Sequence, residues 1–215
     1  MRISRIRIVR IVFVVAFGLC FALPAVAQYI GVLQSAETMD RGTFKLMVAP
    51  IMVFGKEGAD DEFGVAARTG YAFTEHFDAE AKLGFFQNGT FVGADGEYWI
   101  FRGAQKNSGL DFSLTGGLHW IFGSDNHFNT MGFEVTPQLS GHVTENLELC
   151  VSLDASFESI QDAPPGVDAS FTRLHLVPGI EYRLSDTFDL VAEFGIGNND
   201  NSYNYLGAGI AYYVR

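Results

Sequence analysis

Residues 173–184, RLHLVPGIEYRL, carry the clearest structural pattern of the chain. Every second residue in this stretch is apolar, and the residues between are mostly charged, polar or small. Successive side chains of an extended strand point to opposite faces, so this pattern gives one apolar and one polar face. A helix would scatter the same residues around its cylinder, which excludes an amphipathic helix. The apolar face holds Leu174, Leu176, Pro178, Ile180, Tyr182 and Leu184.

The same alternation recurs in residues 77–86, 146–158 and 189–197, so these runs are 9 to 13 residues long. Strands of soluble domains average about 5–6 residues, whereas a tilted membrane strand needs ~9–11. After residue 28 no apolar run reaches the ~20 residues of a spanning helix. The pattern therefore predicts an all-β transmembrane barrel, apolar outside and polar inside. A periplasmic sandwich or lipocalin-like barrel with an apolar core is the alternative, and strand length favours the membrane.

The turns give an independent strand count. An apolar–acidic pair opens a strand just after a polar turn four times, at spacings of 33, 37 and 41 residues. Each spacing fits two membrane strands plus one loop, so four such turns and a strand at each end predict ten strands, with eight as the runner-up. The pairs are Phe77-Asp78, Leu110-Asp111, Leu147-Glu148 and Phe188-Asp189. The predicted strands are 42–54, 63–73, 77–86, 91–102, 109–122, 131–143, 146–158, 171–184, 187–197 and 203–214.

The connections divide into two kinds, which assigns the two ends of the barrel. The turns before the four acidic pairs are mostly tight and are predicted to face the periplasm, whereas the alternate connections are longer and would be extracellular. Aromatic residues collect near both ends, as expected for girdles at a lipid–water boundary. The predicted girdle residues are Tyr71, Phe73, Phe77, Tyr182, Phe188 and Tyr212 at the tight-turn end, and Phe54, Phe63, Trp120 and Phe122 at the other.

Two features leave details of this assignment open. Asn88-Gly89 and Asp95-Gly96 are both hairpin signals, so either could form the outer turn between the third and fourth strands. Pro50, Pro137 and Pro178 fall inside predicted strands on the apolar face. Because proline has no N–H donor, each predicts a local interruption of the hydrogen-bond ladder.

Residues 1–27 are predicted to be a cleaved Sec signal peptide, which leaves 28–215 as the barrel domain. Arginines at positions 2, 5, 7 and 10 precede an apolar run of 13 residues, 11–23, and Pro24-Ala25-Val26-Ala27 gives a cleavage site before Gln28. Loss of those arginines leaves 10 basic against 25 acidic residues, a net charge near −15. This charge argues against a nucleic-acid partner. Cys150 would be the remaining cysteine, so no intramolecular disulfide is expected.

The last predicted strand, 203–214, alternates almost to the end of the chain. With the signal peptide and the strand pattern, it resembles the small bacterial outer-membrane β-barrel proteins, although no motif indicates a subfamily and most of them have eight strands. The resemblance implies a Gram-negative outer-membrane location, contact with lipid and lipopolysaccharide, and recognition of strand 203–214 by the barrel assembly machinery. The chain departs from the usual form because it ends in Arg215 rather than in an aromatic residue. We expect a monomer.

The polar faces of the strands would line the lumen. A ten-stranded barrel is only slightly wider than the eight-stranded type that side chains fill, so charges inside it need partners. We therefore expect salt bridges and hydrogen bonds between these side chains to fill the lumen. The predicted network consists of Arg68, Lys82, Glu134, Glu148, Asp154, Arg173, His175, Glu181, Arg183 and Glu193, and Lys45, Asp78, Glu80 and His142 face the same way.

The sequence predicts no catalytic, cofactor-binding or metal-binding residues. His127, Asn129 and Glu134 loosely resemble lipid-trimming barrel enzymes, but those use a His-x-Ser arrangement and position 129 is Asn. The histidines show no spacing typical of metal ligands. The expected function is a non-enzymatic structural or interaction role in the cell envelope. The alternatives are a narrow channel for small cationic solutes, given the acidic excess, and, more distantly, a lipid-modifying enzyme.

Overall fold

The computed structural model describes residues 30–56, 60–103, 109–124, 128–161, 163, 166 and 168–215. The predicted signal peptide and His127 lie outside these ranges. Within them, no helix is long and apolar enough to cross a bilayer. The strands are β1 (Phe44–Val53), β2 (Glu62–Ala72), β3 (Phe77–Phe86), β4 (Gly89–Arg102), β5 (Asp111–Gly123), β6 (Thr130–Thr144), β7 (Leu147–Ile160), β8 (Ser170–Ser185), β9 (Phe188–Gly197) and β10 (Tyr205–Val214).

The strands form a closed antiparallel barrel in up-and-down order. Each strand pairs with its neighbours in the chain, and β1 pairs with β10, with Leu46 opposite Tyr212, to close the sheet. Closure leaves no strand edge with unpaired backbone groups, which is the condition for crossing hydrocarbon. The predicted fold class and the count of ten strands are confirmed, and the eight-stranded alternative is wrong.

The barrel exposes its apolar face and buries its polar face, as the alternation predicts. In β7, Leu149, Val151 and Leu153 are exposed, whereas Ser152 and Asp154 are buried in the lumen. An apolar exterior of this extent is unusual for a protein surface in water and suits contact with lipid. The exposed aromatic residues of the predicted girdles are Tyr71, Phe73, Phe77, Tyr182 and Tyr212 at the tight-turn end, and Trp120 and Phe122 at the long-loop end.

The structure decides between the two hairpin signals near the start of β4. Phe86 pairs with Gly89, so Gln87 and Asn88 form a two-residue connection between β3 and β4. Asp95 lies within β4, opposite Glu80, with its side chain in the lumen. Asn88-Gly89 therefore marks the turn, and the turn interpretation of Asp95-Gly96 is wrong because the β3–β4 ladder runs through it.

The three strand prolines interrupt the ladder, as predicted. Each keeps its pairing with one neighbouring strand and loses it with the other, and the register is the same on both sides of each gap. This follows from the missing N–H, which removes a donor toward one side only. The gaps lie at Pro50 between β1 and β10, at Pro137 between β6 and β7, and at Pro178 between β8 and β9.

Candidate functional site

A segment ahead of β1 occupies the lumen. We call residues 30–43 the plug. Ile30 lies beside Gly84 in the outer half of the barrel, and at the tight-turn end the Met39 amide donates to Asp78 Oδ2 at 3.2 Å. The Gly42 amide then donates to the Ala72 carbonyl at 2.9 Å, where the chain turns back into β1. Most of this segment lies ahead of the first predicted strand, which begins at residue 42.

The plug is held by two charged residues on different parts of the wall. Glu193 of β9 accepts hydrogen bonds from the amides of Val32 at 2.8 Å and Leu33 at 2.6 Å. Arg68 of β2 donates to the carbonyl oxygen of Val32 and, at 2.8 Å, to Oε1 of Gln34. These side chains satisfy buried backbone groups that have no strand partner, through charge-assisted hydrogen bonds.

Gly31 allows the plug to approach this anchor. Its φ of +77° lies in the left-handed region, and a Cβ at this position would collide with Oε1 of Glu193. The same oxygen also accepts a hydrogen bond from the Tyr205 hydroxyl at 2.8 Å, so it has little freedom to move. Glycine is required here both by backbone conformation and by space.

Apart from Lys45, the inner face of β1 is apolar, unlike the mostly polar inner faces predicted for the barrel. This apolar part packs against the plug, which brings its own apolar side chains into the lumen, so burial of both is favourable. A strand that is apolar on both faces over most of its length, beside an apolar segment assigned to no strand, is the signal that could have revealed the plug. The residues of this small core include Met47, Ala49, Ile51 and Val53 of β1, with Ile30, Val32 and Leu33 of the plug.

Beside the plug lies a balanced cluster of charges, which we call the central network. Three cations, Lys45, Arg68 and Lys82, meet three carboxylates, Glu80, Asp95 and Glu134, and each of these side chains is less than a tenth exposed. Arg68 Nε lies 2.7 Å from Glu80 Oε2, and Lys82 Nζ lies 2.5 Å from Asp95 Oδ2. Lys45 also pairs with Glu80, and Lys82 with Glu134.

The strand register explains the form of this network. Arg68 stands directly opposite Lys82, and Glu80 stands directly opposite Asp95. Like charges opposite one another are unfavourable, so the ion pairs form between positions that are offset along the strands. Each carboxylate therefore pairs with at least one cation from another strand, and the network ties β1, β2, β3, β4 and β6 together.

The structure distributes the predicted lumen residues over several places. Arg68, Lys82 and Glu134 belong to the central network, and Glu193 anchors the plug. Asp154 accepts a hydrogen bond from Thr136 Oγ1 at 2.6 Å. His175 is buried, with Nε2 3.0 Å from the Tyr203 carbonyl oxygen, and Arg173 is half-buried, with its guanidinium over the Phe171 ring. Glu148, Glu181 and Arg183 line the opening of the barrel at the tight-turn end.

We call that tight-turn opening the mouth. Its recess is lined by Glu145, Glu148, Glu181 and Asp189, with His142, Asn146 and Arg183. Glu37 of the plug reaches it, with Oε2 at 3.1 Å from His142 Nε2. Burial raises the pKa of the Glu37 carboxyl, and His142 opposes that shift. Carboxylates outnumber cations here, in contrast to the central network.

The residues considered for lipid hydrolysis have other partners where they are described. Asn129 Oδ1 accepts a hydrogen bond from the Gly123 amide at the end of β5, at 3.1 Å. Glu134 is paired with Lys82 in the central network. His127, the third residue of that arrangement, lies outside the described residues.

Comparison with known proteins identifies the class of fold. The chain matches no protein-family model and no curated protein. It is similar to an outer-membrane channel from Pseudomonas putida F1, with 9% identity over 87% of this chain and 100% of that chain and a TM-score of 0.55. The KdgM porin (12% identity, 78% and 98% covered, TM-score 0.44) and the N-terminal β-barrel domain of Pseudomonas aeruginosa OprF (12%, 82% and 100%, 0.37) are also similar. The fold is that of the bacterial outer-membrane β-barrels.

Proposed function

We propose that the protein is an integral outer-membrane barrel closed by its own N-terminal segment, with a structural or interaction role in the envelope and no catalytic activity. The observation that carries this proposal is the plug, held between Glu193 and Arg68 beside the central network. The cavity left at the centre is about 10 Å³. Small-molecule sites usually occupy about 300–1,000 Å³, so the centre has no room for a typical substrate.

The proposed location follows from the exterior of the barrel. Its exposed apolar faces suit lipid, and its aromatic ends suit contact with headgroups and lipopolysaccharide. In this proposal residues 1–27 are removed on export, the assembly machinery recognises the terminal strand 203–214, and the barrel stays a monomer. A heat-modifiable shift on gels and extraction only with detergent are expected. Recovery in the soluble periplasmic fraction would contradict the placement.

Planar-bilayer recording tests the closed lumen. The refolded protein should give no conductance steps, because the plug fills the lumen. Glu193→Ala removes the acceptor of two plug amides and should produce conductance steps as the plug loosens. Asp186→Asn, which changes an exposed carboxylate in the β8–β9 turn, is the control and should stay silent. Steady conductance of the unaltered protein would refute a closed barrel.

A narrow channel that opens when the plug moves is the second candidate. One observation favours it: the wall beside the plug carries ionised side chains such as Lys45, Arg68 and Glu80, which a permeating ion could meet once the plug left. Steps in the unaltered protein under applied voltage, with a reversal potential that indicates cations, would support this candidate. An unchanged lipid A profile on overexpression would remove the distant alternative of a lipid-modifying enzyme.

A further inference from the structure

We propose that the mouth binds one divalent transition-metal ion of the zinc class through Glu37, His142 and Glu148. One carboxylate comes from the plug, the imidazole from β6 and the second carboxylate from β7. One donor atom from each of the three lies within 4.8 Å of the other two. This inference goes beyond the proposed function, because metal binding does not depend on whether the lumen conducts.

The donor set fits the chemistry of such an ion. Zinc is bound by imidazole nitrogen and carboxylate oxygen at about 2.0–2.2 Å, which places its ligand atoms roughly 3–4 Å apart. The His142 and Glu37 donors are already 3.1 Å apart, so small side-chain rotations would complete the site. An imidazole ligand favours zinc, copper or nickel over the oxygen-preferring calcium and magnesium.

Neighbouring groups hold two of the ligands in place. Ser140 Oγ donates to Glu148 Oε1 at 2.5 Å and accepts a hydrogen bond from the Ala36 amide of the plug at 3.1 Å. The same serine therefore orients the Glu148 carboxylate and fixes the plug backbone one residue before Glu37. Metal sites regularly contain residues that orient the metal-coordinating side chains by hydrogen bonds in this way.

A second observation points to a bound cation independently of the three ligands. Asp189 lines the same recess and is only 6% exposed, yet its Oδ1 has no hydrogen-bond partner. A buried carboxylate oxygen without a donor is unfavourable. Arg183 stands opposite Asp189 in the β8–β9 register and is the single guanidinium among the described residues that line the recess. A divalent ion would supply the positive charge that this recess lacks.

The site is open enough to be loaded from solution. The side chains of His142 and Glu37 are 34% and 32% exposed, so an ion can reach them from the tight-turn end. Once bound, it would connect the plug to the walls formed by β6 and β7. The chemistry therefore assigns the ion a role in fixing the plug at this end of the lumen.

Isothermal titration of the refolded protein with Zn²⁺, after treatment with a chelator, tests the site. We expect one saturable site, and Mg²⁺ at the same concentrations should not compete. His142→Gln and Glu37→Gln should each weaken binding at least tenfold, because each removes one donor. His76→Gln, which changes an exposed histidine at the same end of the barrel, should bind as the unaltered protein does.

The heat-modifiable gel shift shows that each variant is folded, and Glu37→Gln keeps the test valid if His142→Gln fails to fold, because Glu37 lies outside the strands. Absence of saturable binding would overturn the proposal, as would equal affinity in the unaltered protein and either ligand variant. A loss in His76→Gln as large as that in His142→Gln would also overturn it. None of these readouts involves conductance, so the result is independent of the proposed closure.

Discussion

The central network and the mouth are both built from carboxylates beside the plug, but they differ in balance. In the network three cations meet three carboxylates, all nearly excluded from solvent. In the mouth four carboxylates and one guanidinium line a recess, and Glu37 of the plug adds a fifth carboxylate. Deep burial makes an unpaired charge very unfavourable, so each carboxylate of the network needs a cationic partner. The mouth is partly open to solvent, so a cation from solution can balance its excess of carboxylates.

The largest effect should come from breaking the central network. Arg68→Met leaves Glu80 and Asp95 short of a partner and removes the donor to the Val32 carbonyl. Loss of one partner from a buried ionic cluster costs about 3–5 kcal/mol. Urea unfolding followed by tryptophan fluorescence should show a loss of this size. A loss below about 1 kcal/mol would mean that the network is not the principal attachment of the plug.

A smaller loss of stability is expected at Gly31, where the plug passes close to the Glu193 side chain. Gly31 and Gly42 both have positive φ, of +77° and +85°, but only Gly31 has side chains against it. An L residue in this region costs about 1–2 kcal/mol, so Gly31→Ala and Gly42→Ala share that cost. Gly31→Ala should lose more stability in the same unfolding assay, because its Cβ also meets Glu193. Equal losses in the two variants would show that the Glu193 anchor is loose.

Removal of a carboxylate should stabilise the protein at the mouth, whereas in the central network it should destabilise the protein. In chelator, Asp189→Asn should raise the free energy of unfolding by up to about 1 kcal/mol, because it removes one negative charge from a recess in which carboxylates outnumber cations. Glu80→Gln should lower it, because the Glu80 carboxylate pairs with Lys45 and Arg68. Urea unfolding of the pair in parallel measures the contrast. Destabilisation by Asp189→Asn would mean that the mouth is balanced after all.

The smallest effect is predicted outside the lumen. Arg215 Nη2 lies 3.3 Å from Asp40 Oδ2, but the two side chains are 60% and 76% exposed. Exposed ion pairs contribute about 0–1 kcal/mol, so Arg215→Ala should barely change the unfolding midpoint. A loss comparable to that of Arg68→Met would show that attachment of the plug at this end, and not the central network, dominates.

The wall of the barrel could be predicted from the sequence because its determinants are local. Alternation over residues 173–184 depends only on side chains next to one another in the chain, and the four acidic pairs at the turns mark where β3, β5, β7 and β9 begin. The interruptions at Pro50, Pro137 and Pro178 follow from the missing N–H of each proline. Asp95-Gly96 shows the limit of such signals, since strand pairing overrode a favourable turn sequence.

The alternating pattern and the turns were enough to predict a ten-stranded barrel, its apolar exterior and which charged residues face inward. What fills the interior depends on contacts between residues that are far apart in the chain. The Val32 amide and its acceptor Glu193 are 161 residues apart in the chain. No local sequence pattern can relate two groups at that separation. Closure of β1 on β10 brings β2, β9 and the plug into one narrow space, where buried charges and backbone groups must find partners. For the same reason Glu37, His142 and Glu148 meet at the mouth without any ligand spacing in the sequence.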